Sequence, residues 1–550
     1  MGNPFQEESN DLLTLDTKDI AHTSVHELVS THYERGADRF CAFLKDLESQ
    51  EESLFYKPLK KNKLNFFKQQ YVATNTKHKA LKEDCNLFSR LFISCQSRQC
   101  DLREFFKYEN QPFPAALSDN GKLHSCQKSD LVNLLQSQVV IPDTEPEADT
   151  IIIDGSALVN SMHPRTSKTF DDYARVHVLP TMQAFSAKYK RTDIVFDIYL
   201  PSSLKCETRS KRGKGVRRRV AGGNKMPKNW QSFLRDDNNK TELFHFLADK
   251  IAEMHTVNVV IVTKEELALS TQVINLDHVA PCSHEEADTR IFVHAKHAVM
   301  EGNQTLMIKA NDTDVVVIAI SILPSLQELG LQKLWIAFGQ GKHLKWIPIH
   351  DIVSSIGPEK TSGILFFHAF TGCDVVSAFC GKGKKSAWQT WNVCNDASGV
   401  FSKLSKYPPT VGDEDIENLE KFVIAMYDRS SIAKCVDDAR LELFARKQKS
   451  YQSIPPTQAA LVQHLKRSAY QAGCIWSQAT VCQPEILSPA DWGWIKEVDI
   501  WKTYWSTLPP IATSCQELTK CGCKMECHGN CKCYRFGLPC TALCSCTCLD

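Results

Sequence analysis

The sequence predicts an α/β protein: a central, mostly parallel sheet with helices on both faces, flanked by helical N-terminal and C-terminal regions and ending in a small cysteine-rich tail. Three observations predict it. Between 150 and 391, short β-branched runs alternate with helical stretches, the pattern of βαβ units. Apolar content of 43% and charged content of 23% are ordinary for a globular chain, and 550 residues are ample for a large buried core. Nine of the 23 cysteines fall within the last thirty residues, a density that no hydrophobic core explains.

Each part follows from its residues. Residues 1–145 read as a helical, charged N-terminal region with amphipathic stretches such as "SVHELVSTHYERGADRFCAFLKDL". The segment "IPDTEPEAD", rich in proline and acid, reads as a linker. From 150 to 391, "TIIID", "TDIVFD", "VNVVIVT", "QTLMIK" and "KLWIAFG" read as strands. "NDTDVVVIAI" (311–320), without a polar side chain after its two aspartates, reads as a further buried strand. Residues 392–510 read as helical, with tryptophan-containing clusters near their end, and 515–550 as the cysteine module. No apolar run reaches 18 residues, so neither a spanning helix nor membrane contact is expected. The acidic, polar start "MGNPFQEESNDLL" is unlike a signal peptide, and the fourteen scattered cysteines read as free thiols of a reducing compartment.

The acids are placed in a particular way. In an open parallel sheet, ligands bind outside the carboxyl ends of the strands. "TIIID" ends on Asp154 and "DIVFD" on Asp197, while Asp312 and Asp314 follow "LMIKAN". Glu285, Glu286 and Asp288 fall in the first turn of the helix expected for "HEEADTRIFVHAKHA", and Asp374 sits at the turn in "TGCDVV". One aspartate after a strand is ordinarily a helix cap or turn residue. Five such places in one α/β unit point instead to carboxylates gathered around cations, because they cannot stay ionised together otherwise. Hard divalent ions such as Mg²⁺ or Mn²⁺ take oxygen ligands, and two of them about 4 Å apart clamp a phosphodiester.

This ordered series resembles the FEN/XPG branch of the PIN-like nucleases, the flap endonuclease family, over residues 150–390. The resemblance assigns Asp154 to the first strand, Asp197 to the "VFD" strand, Glu286 and Asp288 to an E-A-E type pair, Asp312 and Asp314 to the Asp-x-Asp, and Asp374 to a G-x-D turn. It implies a PIN-like sheet and a metal-dependent phosphodiesterase, a structure-selective endo/exonuclease in which these seven acids hold two Mg²⁺ or Mn²⁺ ions. Its partner is nucleic acid, DNA more than RNA. Two departures are visible. Asp288 is a methylene shorter than the family's Glu, and the N-terminus lies far from Asp154.

Further motifs fit the same reading. "PSSLKCETRSKRGKGVRRRVAGGNKMPK" carries ten Lys/Arg and one Glu between 205 and 228. The stretch resembles the family's P-x-x-L-K segment and basic arch over the substrate strand, which implies phosphate contact by Lys205, Arg209, Lys211, Arg212, Arg217, Arg218 and Arg219; the other reading is a disordered basic loop or a nuclear localisation signal. After Asp374, "FCGKGKKSAW" supplies Gly381, Gly383, Lys384 and Lys385, which resemble the family's duplex-tracking G-x-G turn. Among the histidines near the acids, His163, His284 and His368 read as surface or core residues, and Cys373 as a packed thiol.

The tail spaces its cysteines as C-x-C-x3-C-x3-C-x-C-x6-C-x3-C-x-C-x-C: Cys521, Cys523, Cys527, Cys531, Cys533, Cys540, Cys544, Cys546 and Cys548. Their odd number argues against simple disulfide pairing, and thiolates suit Zn²⁺. The tail resembles one repeat of the tesmin-like CXC module. The resemblance implies about three Zn²⁺ ions with some sulfurs bridging, and DNA contact through Lys524, Lys532, Tyr534 and Arg535; a Cys531→Ser change should disturb more than one zinc if that sulfur bridges. Together these readings give a nuclear, metal-dependent nuclease with a zinc module. The alternative is a catalytically inactive nucleic-acid-binding scaffold, transposon-derived in one version of either reading.

Overall fold

A computed structural model describes residues 12, 20–48, 101–200, 203–205, 215–447, 451–498 and 500–511, and in the tail residues 521, 523, 527, 528, 531, 534, 540 and 546. Arg209, Lys211, Arg212, Cys533, Cys544 and Cys548 lie outside the described residues.

The chain is α/β. Seven strands form the central sheet: β1 (Thr150–Asp154), β2 (Arg191–Val195), β3 (Val259–Lys264), β4 (Leu267–Ser270), β5 (Thr305–Lys309), β6 (Lys333–Phe338) and β7 (Lys345–Pro348). Their spatial order is β4-β3-β2-β1-β5-β6-β7. The five inner strands are parallel, and the two edge strands, β4 and β7, return as antiparallel hairpin partners. The five strands expected from β-branched runs are the parallel ones. Their side chains alternate between the two faces. Ile152, Leu306, Ile308, Leu334 and Ile336 enter one core, while Ile151, Ile153, Ile194, Val260, Val262 and Met307 enter the other. Burial on both faces is why these strands read as continuous apolar runs.

The helices that matter for the site are α1 (Ser129–Gln136), α2 (Gly155–Ser161), α3 (Leu179–Lys188), α4 (Asp237–Ala252), α5 (Ala287–Met300), α6 (Thr313–Glu328) and α7 (Ile349–Phe370). The run 315–320 is not a strand but the start of α6. Asp312 caps that helix, its carboxylate accepting the Asp314 amide at 2.9 Å. Every residue from Thr313 to Ile320 is buried, because α6 packs against α5 and α7 within the larger core. A helix buried all round shows no amphipathic period, so its Val/Ile content imitates a strand.

One core runs across the boundaries expected at 145 and 391. Phe105, Phe106, Leu131 and Leu135 share it with the sheet, as do Phe401, Phe422, Leu461 and Trp476 from the C-terminal helices. The segment 392–510 also contains an unexpected hairpin, Trp494–Glu497 with Ile500–Thr503. Among the described residues no helix is long and apolar enough to cross a membrane.

Candidate metal centres

Strand order reverses between β1 and β5: connections from β1 lead outward on one side, those from β5 on the other. Such a switch point opens a crevice at the carboxyl ends of the strands. Asp154, Asp197, Lys205, Glu285, Glu286, Asp288, Asp312 and Asp374 line one cleft there. Asp314 lies just behind it, 2% exposed, with a carboxylate oxygen within 4.8 Å of oxygens of Asp288 and Asp312.

Local structure aims each group. Asp154 ends β1 and caps α2, accepting the Ala157 amide at 2.9 Å. Asp197, two residues past β2, accepts Ser156 Oγ at 2.6 Å, Tyr199 Oη at 3.1 Å and the Ala287 amide at 2.8 Å. That last bond ties it to the start of α5, where Glu286 is the N-cap residue and Asp288 lies in the first turn. The positive end of the helix dipole therefore faces the acids. Asp374 follows α7 in the loop after Gly372, whose φ of +112° lets the backbone turn where an added Cβ would meet Ala378.

The electrostatics are those of a crowded anionic site. Burial, then the charge of Asp197, pushes the Asp154 carboxyl up to about 7. Burial pushes Glu286 up to about 7 as well, against the pull of the adjoining Lys205 ammonium. Asp288 is pushed well above the carboxylate range by burial and then by Asp312, and Asp312 is raised by burial and then by Asp314. Asp314 behaves oppositely. Burial would raise it, but the Lys128 ammonium and a 2.9 Å hydrogen bond with His368 Nε2 outweigh that and hold it below the usual range. Four raised carboxyls in one cleft are the signature of acids short of countercharge.

The sequence reading missed two participants. Lys128, just before α1, reaches Asp312, Asp314 and Asp374. His368, read as a core residue, is indeed fully buried, yet it holds Asp314. Nothing local marks Lys128, which lies 184 residues from Asp312. Of the other histidines, His163 is exposed, and His284 is buried and paired with the Val481 carbonyl at 2.7 Å. Burial pushes the Cys373 thiol up to about 12, which suits packing rather than nucleophilic attack.

Several expected phosphate contacts are engaged elsewhere. Arg217 and Arg219 pair with Glu242 of α4, Arg217 also donates to Asn239 Oδ1 at 2.9 Å, and Arg218 is only 7% exposed. They latch the basic stretch to α4, a role that a run of charges does not disclose. Lys384 is fully buried, its ammonium spent on the His368 and Gly372 carbonyls and the Thr371 hydroxyl. It ties off the carboxyl end of α7 and is turned away from solvent. Lys205 lies in the acidic cleft itself. Gly381, Gly383 and Lys385 are exposed. Arg217→Ala should therefore lower stability by about 1–2 kcal/mol, as expected for a partly buried charged hydrogen bond. Chemical denaturation of the variant beside Glu242→Gln measures it, and the double variant should lose less than the sum.

In the tail, sulfurs of Cys521, Cys523, Cys527 and Cys531 converge, and so do those of Cys521, Cys527, Cys540 and Cys546. Among the described residues Cys521 and Cys527 belong to both groups and Cys531 to one, so Cys521 and Cys527 stand where a bridging sulfur would. Sγ separations of 3.6 Å (Cys521–Cys527) and 3.5 Å (Cys527–Cys540) are far too long for a disulfide of about 2.05 Å. They are close to the edge of a tetrahedron of thiolates about 2.3 Å from a zinc. Tyr534 is exposed beside them; Lys524, Lys532 and Arg535 lie outside the described residues.

No protein-family model matches the chain, and no curated protein matches it. Solved structures resemble it distantly. A complex of the bacteriophage T5 D15 flap endonuclease with DNA and metal ions is 11% identical, covering 58% of this chain and 99% of that one at a TM-score of 0.28. The catalytic core of Rad2 with a DNA substrate is 11% identical, covering 61% and 97% at 0.29. Likenesses of this size are too slight to bear on function.

Proposed function

We propose that the chain is a divalent-metal-dependent nuclease of the FEN/XPG type, acting on DNA in preference to RNA, with a zinc-bound tail as an accessory DNA-binding module. The observation that supports it is the gathering of carboxylates from five separate segments at the switch point of a parallel sheet. Asp154, Asp197, Glu286, Asp288, Asp312, Asp314 and Asp374 offer only hard oxygen donors, and the raised, mutually repelling carboxyls among them fit Mg²⁺ or Mn²⁺. Bound there, such ions supply an activated water and charge neutralisation at a phosphodiester.

The chain's own residues supply the rest. Tyr199 and Ser156 orient Asp197, and His368 orients Asp314. Lys205, at the root of the basic stretch, stands at the cleft beside Glu286 and would meet an incoming phosphate. The described tail residues fit thiolate-bound Zn²⁺, about three ions for nine cysteines. A nuclear location agrees with a DNA substrate and with the basic stretch.

A second reading, an inactive nucleic-acid scaffold, draws on the two lysine ammoniums that already answer part of the acidic charge. Incubation of the purified protein with labelled branched and single-stranded DNA and RNA, in Mg²⁺ or Mn²⁺, separates the two. The nuclease reading expects cleavage that disappears with chelation. Binding without cleavage of any substrate would leave the scaffold.

A further inference from the structure

Lys128 belongs to no motif, yet it ends inside the acidic cluster. Its ammonium lies 3.2 Å from Asp312, 3.1 Å from Asp314 and 3.0 Å from Asp374. An ammonium has three donors, and three carboxylates meet them.

Its position is fixed from both sides. Downstream, Leu131, Val132 and Leu135 of α1 are buried in the larger core. Upstream, the chain is laced to the loop that carries Asp374. The His124 amide donates to Ser377 Oγ at 3.0 Å, the Ala378 amide to the His124 carbonyl at 2.9 Å, and Cys126 Sγ to the Gly372 carbonyl at 3.1 Å. The ammonium is therefore delivered by packed backbone and not by a free arm.

Local preference opposes a lysine at this place. Lys128 is the N-cap residue of α1 and makes no side-chain cap, at the end where the helix dipole disfavours a cation. The three carboxylates offset that cost. A residue that breaks a local rule with such a compensation points to function.

Resting on the nuclease reading above, we propose that Lys128 is a built-in cation: its ammonium stands permanently between Asp312, Asp314 and Asp374 in place of one of two divalent ions. The cleft then takes up a single exchangeable ion, around Asp288 on the Asp154 side. The ammonium neutralises charge but offers a water no coordination position, so activation of the nucleophile falls to the Asp154 side alone.

Counting Mn²⁺ bound to the full-length, zinc-replete protein tests this, by equilibrium titration with paramagnetic detection. The wild type should bind one Mn²⁺, Lys128→Met two, and Lys128→Arg, which keeps the charge, one. Wild-type amine labelling read by mass spectrometry is independent of whether Lys128→Met folds: Lys128 should stay protected at saturating Mn²⁺. Two ions in the wild type, an unchanged count in Lys128→Met, or labelling of Lys128 when Mn²⁺ is added would each overturn the assignment. No Mn²⁺ on any of the proteins would instead defeat the reading of the cleft as a metal site, and this assignment with it.

Discussion

Asp288→Asn should abolish cleavage, by about 10²–10³-fold or more, and yet make the metal-free protein more stable. The carboxyl of Asp288 is buried among Asp312, Glu286 and Asp154, whose repulsion and the burial together outweigh the attraction of Lys205. Neutralising it removes repulsion that only a bound cation would otherwise relieve. Each kcal/mol gained raises the melting temperature by about 2–4 °C in a large domain. Asp314→Asn should also abolish cleavage but with the opposite effect on stability. Its carboxylate, 2% exposed, pairs with the part-buried ammonium of Lys128 and hydrogen-bonds the fully buried imidazole of His368, and removing one partner of such an ion pair costs up to about 3–5 kcal/mol. Melting both variants in chelator, and assaying both in Mn²⁺, gives the comparison. A destabilised Asp288→Asn would mean that the cleft acids are not short of countercharge.

The same shifts fix a pH dependence. Asp154 and Glu286 have folded values near 7, above their ordinary 3.8 and 4.5. At these two groups the folded state holds protons more tightly than the unfolded one, so their contribution to stability is lost as pH rises from about 4 to about 7, while the buried imidazoles of His284, His297 and His368, held down to about 4 by burial, contribute in the opposite sense. Divalent ions should restore the lost stability at the upper end. The measurement is the difference in melting temperature between Asp154→Asn/Glu286→Gln and the wild type in chelator: it should grow in favour of the variant over this interval, and a difference that shrinks would contradict the sign.

How much of this is legible in the sequence differs by element, and the reasons are physical. The five parallel strands are legible because burial on both faces makes each a short, bounded β-branched run. Edge strands β4 and β7 are not, since "LALS" and "KWIP" are short and half-exposed. Helix α6 passes for a strand for the reason that makes it a core helix: apolar on every side, it leaves no period to detect. The acids Asp154, Asp197, Asp312 and Asp374 can be placed because strand and helix ends position them locally. What answers their charge cannot. Lys128 and His368 reach the cluster through tertiary packing, across 184 and 54 residues respectively. The Arg217–Glu242 latch and the inward turn of Lys384 are likewise choices made by the fold, which leave no mark on a run of basic residues.

In the tail, Cys521→Ser should release more zinc than Cys546→Ser. Among the described residues Cys521 lies in both sulfur groups and Cys546 in one, so the first change removes a ligand from two centres and the second from one. The effect should be large. Few residues of 515–550 are apolar apart from the cysteines, so metal binding must supply the folding free energy, about 10 kcal/mol or more for a structural zinc. The sheet unit has cores of its own on both faces, and the described tail residues enter neither. Chelation should therefore unfold residues 521–546 while the main melting transition persists, and Cys521→Ser should reproduce much of that loss at full zinc. Native mass spectrometry of the intact protein counts the ions retained by each variant. Equal losses from Cys521→Ser and Cys546→Ser would show that the two sulfurs have equivalent roles and would remove Cys521 as a bridge. A wild-type tail carrying disulfides and no zinc, purified from reducing conditions, would overturn the thiolate cluster altogether while leaving the acidic cleft untouched.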